Sequence, residues 1–274
     1  MTVSEPKRVL IIRLSAIGDV VFASPLVAAC RKRYPSTEID WLAEGVVRPL
    51  LTELPGLTQV VLWPRQEWQD LWREKRIFAL LRAVMAFRQK LRERNYDLVI
   101  DAQGLVKSAF LSWLTGSPQR IGFKSKEPNG VFLTQRFDKS ITPRISSEYL
   151  ALADTLGWDT SNFEMVLGLS ELDNKRSIDI APQEAYVVIA PFTTRPQKHW
   201  THGHWRALIE QLVNAGHRVA CLGGPADREE AATLLEGLTV MNWVGAYPLG
   251  VSAGLVKQSC GVIGVDTGLT HMGI

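Results

Sequence analysis

Cysteine is scarce and scattered: Cys30, Cys221 and Cys260 are the only three in 274 residues, odd in number and far apart. That pattern excludes a disulfide scaffold and a zinc framework and fits a reducing compartment. Long apolar runs are also missing. A membrane span needs roughly 18 apolar residues, and the best stretch, 20–30, is too short and contains Ser24 and Pro25. The N-terminal MTVSEPKRVLIIRLS has no signal-peptide apolar region or cleavage site, so the expected location is the cytoplasm. No RNP, helix-turn-helix or zinc-finger pattern occurs, which argues against a nucleic-acid partner. The G-x-G-x-x-G dinucleotide fingerprint is absent too.

What remains is ordinary soluble-protein material, 46% hydrophobic and 22% charged, with ample apolar residues for a core. The length predicts about two domains. Charge is divided unevenly between them. Residues 1–150 hold 23 Lys and Arg against 15 Asp and Glu, whereas 151–274 hold 8 against 13. The basic half suits an anionic partner, whether nucleic acid, a phospholipid surface or a phosphorylated substrate. Much of its excess lies in 73–94, with eight Lys and Arg against two Glu. There Ile77, Leu80, Leu81, Val84, Phe87 and Leu91 recur at helical spacing, which predicts an amphipathic helix with a cationic face. Such a helix docks on its own sheet or faces a membrane, and the two roles coexist if one edge stays exposed.

Strands and helices alternate. Strands are predicted at 8–14, 38–43, 58–62, 96–101 and 119–123, and helices at 19–34, 73–94, 104–115 and 147–156. Residues 158–184 are polar and weakly periodic, and read as a connector with an edge segment. The pattern then restarts, with strands at 185–190, 218–222, 240–244 and 261–265 and helices at 201–215, 226–235 and 249–259. Two such series imply two doubly wound domains with parallel sheets. A last helix near Gly268 has only about one turn before the chain ends. Ligands of such sheets bind beyond the carboxyl ends of the strands. That rule selects the loops 15–19, 43–48, 102–107, 191–198, 223–227 and 266–271.

Asp19 lies at or near a helix start, where a carboxylate acts as a cap or a first-turn charge favoured by the helix dipole or, at the mouth of a cleft, as a general base. In DAQGLVKS, Lys107 falls in a first helical turn, at a local cost against the helix dipole, so it is either solvated or ligand-facing. In APFTTRPQKHW, Thr193, Thr194 and Lys198 supply two hydroxyls and a cation, a set suited to a diphosphate; Trp200 is expected to pack under this loop. His199, His202 and His204 have no Cys, Asp or Glu among them, so no metal site is expected. In LGGPAD, two glycines allow close backbone approach to a ligand, and Asp227 either holds ribose hydroxyls or caps a helix. In VDTGLTH, the N–H groups of Thr267, Gly268 and Leu269 open a helix and suit an anion, while Asp266 is suited to accept sugar hydroxyls. His271 there is either packed or part of the site.

SAIGDVVFASP, DAQGLVKSA, FTTRPQKHW and VDTGLTH together resemble the ADP-heptose:lipopolysaccharide heptosyltransferases of glycosyltransferase family nine, with the heptosyltransferase I branch nearest. The resemblance runs over essentially the whole chain. It implies an α/β fold of GT-B type, with two Rossmann-like doubly wound domains facing across a cleft. Residues 1–165 would bind the acceptor and 166–274 the nucleotide sugar. The implied reaction moves L-glycero-D-manno-heptose from ADP-heptose to a Kdo residue of Kdo-lipid A, with inversion and no metal or cofactor. The implied setting is the inner face of the cytoplasmic membrane, with peripheral attachment. By match, Asp19 would be the base. Lys198, Thr193 and Thr194 would hold the diphosphate, Asp266 the heptose, and Thr267, Gly268 and Leu269 phosphate through backbone. His271 belongs to the same donor set. Asp227 stands where the family has a ribose-binding Glu, and Tyr247 where the near branch has Met beside the adenine. Gly18, Arg65, Lys107, Lys124 and Lys126 would meet the acceptor. Family members continue past VDTGLTH into a strand and a C-terminal helix, so the second domain is expected to be incomplete. Two other readings stay open: a transferase or epimerase of this fold using another nucleotide sugar, and a non-catalytic relative that only holds sugar or lipid.

Overall fold

The structure, a computed structural model, describes residues 5–139, 142 and 146–273; residues 1–4, where the leader reading begins, lie outside it. The chain divides into two compact units, Met1–Val166 and Leu167–Ile274.

In the first unit the order is β1 (Arg8–Ile12), α1 (Ile17–Ala23), α2 (Pro25–Arg33), β2 (Glu38–Ala43), β3 (Gln59–Leu62), α3 (Arg65–Arg73), α4 (Ile77–Glu93), β4 (Leu98–Asp101), α5 (Val106–Leu114), β5 (Gln119–Phe123), β6 (Gln135–Phe137) and α6 (Ser147–Thr155). All six strands are parallel, in the spatial order β3-β2-β1-β4-β5-β6. This is the order of a nucleotide-binding doubly wound sheet. Its strands are apolar on both sides because helices cover both faces. α1, α2 and α6 pack over Val9, Ile11, Ile39, Trp41 and Ile100. Phe87 and Leu91 of α4 and Leu111 and Leu114 of α5 pack over Leu10, Ile12, Leu42 and Val99.

A buried carboxylate ties the layers together. Asp40, fully buried in β2, accepts from Arg94 (2.9 Å), Tyr96 (2.7 Å) and Gln59 (2.8 Å). Burial first, and then Asp40, pushes the Tyr96 phenol well above its ordinary range.

Several boundaries differ from the sequence expectation. The helix expected over 19–34 is two helices, since Pro25 has no N–H to continue the ladder and opens α2 instead. The cationic helix starts at Ile77 rather than residue 73, because Lys75 adopts a left-handed φ of 57°. A separate α3 precedes it. β6, only three residues long, carries too little alternation to stand out.

The second unit runs α7 (Glu171–Ile180), β7 (Tyr186–Ala190), α8 (His202–Asn214), β8 (Arg218–Cys221), α9 (Arg228–Leu235), β9 (Met241–Asn242), α10 (Leu249–Gln258), β10 (Gly261–Gly264) and α11 (Gly268–His271). Its sheet is parallel, ordered β10-β7-β8-β9. The polar stretch expected as a connector contains α7. Its start is marked by Ser170, whose Oγ accepts the N–H of Asp173 at 3.1 Å. Ser-x-x-Asp is a capping signal legible in the sequence. α7 lies against α10, where Gly250 and Gly254, one turn apart, leave room for Asp173 and Ser177. A Cβ on Gly254 would collide with both Oγ and Cβ of the buried Ser177.

Gly254→Ala is therefore expected to destabilise by about 1–3 kcal/mol through overpacking, despite the usual helical advantage of Ala over Gly. Gly203→Ala in α8, where nothing lies within 4 Å, is expected to be neutral or stabilising by up to about 1 kcal/mol. Urea unfolding of both variants checks the contrast, and equal effects would refute the close helix contact.

Candidate active site

In a sheet ordered β3-β2-β1-β4, the connections after β1 and β4 leave in opposite directions and open a crevice between them. Ile12 pairs with Asp101 across these strands, so Arg13 and Ala102 emerge level at its floor. Arg13 is 7% exposed. Its guanidinium donates to the Ala102 carbonyl (3.3 Å) and forms an ion pair with Asp19. The Gln103 side chain accepts the Leu14 N–H at 2.9 Å and stitches the two loops together.

Asp19 occupies the first turn of α1 but is not its cap; the cap position is Ala16, and no side chain caps the helix. Asp19 thus makes no cap bond, but as a first-turn carboxylate it is favoured by the helix dipole. The Asp19 side chain stays 42% exposed, so a carboxylate gripped from below by Arg13 still presents itself to solvent. Gly18 beside it is buried and can offer only backbone. Tyr149 of α6 is buried close enough for Arg13 and Asp19 to act on it electrostatically, while desolvation dominates and raises its phenol.

The expected acceptor cations fall into separate groups. Arg65 and Lys107 meet at the half-buried Glu44, just after β2, at 2.9 Å and 3.9 Å. Lys107 also stands over the Trp63 ring at 5.9 Å. Lys124 pairs with Asp138 at 2.7 Å. Lys126 is exposed beyond β5. All four follow the carboxyl end of a strand, as do Gly18 and Asp19.

In the second unit the corresponding divergence lies between β7 and β10. Lys198, after β7, forms an ion pair with Asp266, after β10. The other Asp266 oxygen meets His271 Nε2 at 2.9 Å. Lys198 first, then His271, holds the Asp266 carboxyl below its ordinary range. Thr193 presents its carbonyl to His199 (2.7 Å), and Thr194 is exposed on the same loop. Thr267 occupies the position before α11 without a side-chain cap bond, with Gly268 and Leu269 in the first turn. Asp227 holds the position before α9 without a side-chain cap bond to it, and turns back to accept the Gly224 N–H at 2.7 Å. Tyr247 lies half-buried between β9 and α10.

Gly223 was expected to admit a ligand, but the Phe192 ring takes that space, 2.7 Å from where a Cβ would lie. Trp200 does not sit under its loop; it is 42% exposed and stacks on His204. His202 meets Glu230 at 2.9 Å. Among the described residues, no three His, Cys, Asp or Glu side chains converge to hold a metal ion.

Four residues of the crevice were not singled out from the sequence. Arg13 had a signal, as the one polar break in RVLIIRL. Glu44 and Gln103 lie in loops selected at strand ends, though nothing in the sequence gives their partners, which depend on strand register; Tyr149 has no signal, because its place depends on helix packing.

Asp101 is fully buried and closes the turn into α5 by accepting the N–H groups of Gln103 (3.0 Å) and Gly104 (3.1 Å). Burial outweighs those bonds and pushes its carboxyl up to about 6. The folded chain thus holds this proton more tightly than the unfolded one. The stabilisation is fully present below the ordinary Asp value of about 4 and is lost as pH rises through about 6. Asp101→Asn is expected to remove on the order of 2–3 kcal/mol of pH-dependent stability across that window. Urea midpoints at the two ends of the window measure it, and an unchanged slope would contradict the assignment.

These two crevices have counterparts in known proteins. The family model for glycosyltransferase family 9 (heptosyltransferase) matches residues 84–273. Lipopolysaccharide heptosyltransferase 1 of Escherichia coli K12 is 30% identical, with 97% of this chain and 83% of the relative covered. Lipopolysaccharide heptosyltransferase 1 of Pseudomonas aeruginosa is 29% identical, with 97% and 75% covered. The solved structure of E. coli heptosyltransferase WaaC with ADP-2-deoxy-2-fluoro heptose superposes with a TM-score of 0.76 at 29% identity, over 97% of this chain and 85% of that one. The shared architecture is the GT-B type, built of two Rossmann-like α/β units. With its family model matched over most of its length, this chain belongs to glycosyltransferase family 9, the heptosyltransferases, and is a glycosyl-transferring enzyme.

Proposed function

We propose that this enzyme transfers L-glycero-D-manno-heptose from ADP-heptose to a Kdo residue of Kdo-lipid A, with inversion and without a metal, at the inner face of the cytoplasmic membrane. The observation that carries the reading is Asp19, a carboxylate held by a buried arginine at the switch point of a doubly wound sheet, capping nothing and open to solvent. The names of the relatives support the sugar and the lipopolysaccharide pathway.

Asp19 takes the proton from an acceptor hydroxyl as the oxygen attacks the anomeric carbon. The anomeric carbon–oxygen bond to ADP breaks on the opposite face, which inverts the centre. Positive charge grows on the sugar and negative charge on the departing diphosphate. Lys198, the Thr193 and Thr194 hydroxyls and the N–H groups of Thr267, Gly268 and Leu269 stabilise the latter. That set supplies the countercharge a metal gives in other transferases. Asp266 receives heptose hydroxyls through the lone pairs left beside Lys198 and His271. Asp227 and Tyr247 serve the ribose and adenine, and Arg65, Lys107, Lys124 and Lys126 the acidic acceptor.

Mass spectrometry of Kdo-lipid A incubated with enzyme and ADP-heptose is expected to show one added heptose, undiminished by a metal chelator. Titration calorimetry is expected to rank ADP-heptose above ADP-glucose and UDP-GlcNAc; preference for the UDP sugar would overturn the donor. Lys198→Ala is expected to weaken ADP about 10–100-fold, the worth of a charge-assisted contact. Asp266→Asn frees that lysine, so ADP binding should hold or tighten while the advantage of ADP-heptose over ADP disappears. Parallel losses in both variants would contradict the division of roles.

A further inference from the structure

α3, α4 and α5 cover one face of the first unit's sheet, and α4 buries only Phe87 and Leu91 fully. Its outer side is unusual for a helix already docked. Phe78 is 90% exposed, Leu81 56% and Met85 54%, with Ile77 at 43%. At about 100° per residue these four fall on one arc about 100° wide, its centre turned about 110° from the buried Phe87 and Leu91. Trp72, at the end of α3, is 66% exposed, and Trp113 of the neighbouring α5 is 44% exposed. An apolar set of this size in water marks an interaction surface.

Cations accompany it. Arg88 and Arg92 fall within the same arc and Arg82 at its border. A shallow groove of about 680 Å³ is lined by Arg82, Met85, Arg88 and Arg92, with one carboxylate, Glu93, among the rest of its lining. The ion pairs of Arg73 and Arg76 are with exposed carboxylates of their own segment, Asp70 and Glu74. Among the described residues, Arg82, Arg88, Lys90 and Arg92 have no ion-pair partner, and the Arg88 Nε is buried without a hydrogen bond. A row of unanswered guanidinium groups beside bare aromatic and aliphatic side chains is complementary to a surface that is anionic outside and apolar beneath.

We infer that the outer face of α4, with Trp72, is a membrane-contact surface that lies on a bilayer containing anionic phospholipid. The apolar side chains enter the acyl boundary, and the arginines meet phosphate groups at the same depth. Among the described residues no helix is long and apolar enough to cross a membrane, so this contact lies in the interface plane. The topology adds a reason for its position. α4 leads into β4 and runs antiparallel to the strands, and its 17 residues span about 25 Å, longer than a four-residue strand. Its first turns, with Ile77, Phe78 and Leu81, therefore stand toward the strand ends that carry Asp19, Arg65 and Lys107. The inference deepens the proposed reaction by naming the surface that meets a lipid-borne acceptor, and it rests on that reading only for this purpose.

The test uses the full chain and vesicles without any substrate. Wild type is expected to co-sediment with phosphatidylcholine vesicles containing phosphatidylglycerol, and poorly with phosphatidylcholine alone or at high salt. Phe78→Ser with Leu81→Ser, and separately Arg82→Gln with Arg92→Gln, are expected to lower the partition by about 10-fold or more. Melting temperature and ADP affinity should stay unchanged. Transfer to a short water-soluble Kdo acceptor should persist in both pairs, while transfer to vesicle-borne Kdo-lipid A falls. Wild-type partition that neither pair alters would overturn the surface. So would sedimentation velocity showing that the pairs dissociate a dimer, which would make this face a contact between copies. Vesicle binding without transfer would count against the proposed reaction and leave the surface standing.

Discussion

A guanidinium that cannot reach water has to be answered inside the protein, since leaving a buried charge unpaired costs several kcal/mol. Arg13 poses that demand at the end of β1, where the sheet order sends the two central connections apart. The Ala102 carbonyl and the Asp19 carboxylate answer its two terminal nitrogens, while its Nε stays buried without a hydrogen-bond partner. The ion pair fixes which way α1 leaves the strand and which side of Asp19 stays open. The Leu14–Gln103 bond and the turn closed by Asp101 hold the opposite wall. One buried charge thus organises both sides of the crevice and orients the carboxylate at its mouth.

The second unit applies the same topology to a different task. Its diverging loops bring a cation and a carboxylate together, but here the pair is exposed, with 57% of the Asp266 side chain open. An exposed pair is only weakly stabilising, so a diphosphate and a polyol can compete for its members. The first pair sets a buried guanidinium against a half-exposed carboxylate, and the second is open to solvent at both members. The two halves also carry net charges of opposite sign, basic in 1–150 and acidic in 151–274.

Most of the alternation of strands and helices was legible because buried parallel strands read as apolar runs of four to six residues. The loops after them were legible because strand ends are where such folds bind ligands. Gly157 after α6 and Gly216 after α8 take left-handed φ values, and Thr201 caps α8 through its hydroxyl, which are helix-end residues of the kind a sequence displays. What escaped was either too short or too polar for periodicity. β6 has three residues, and α7 is a polar helix whose only advertisement is Ser170 with Asp173. At the site, the residues on loops could be nominated from type and spacing. The partners that give them their properties could not, because Glu44 reaches Arg65 and Lys107 only through pairing of separate strands. For Asp19 the sequence did not separate a cap from a first-turn position, and only the backbone, with Ala16 at the cap position, does so.

The central claim is that Asp19, steadied by Arg13, is the base of a heptosyl transfer. It is tested most directly by the turnover of Asp19→Ala, measured as heptose added to Kdo-lipid A by mass spectrometry, alongside ADP affinity by calorimetry. Loss of a general base predicts transfer reduced by at least about 100-fold with ADP binding intact. Turnover equal to that of the wild type would contradict the account.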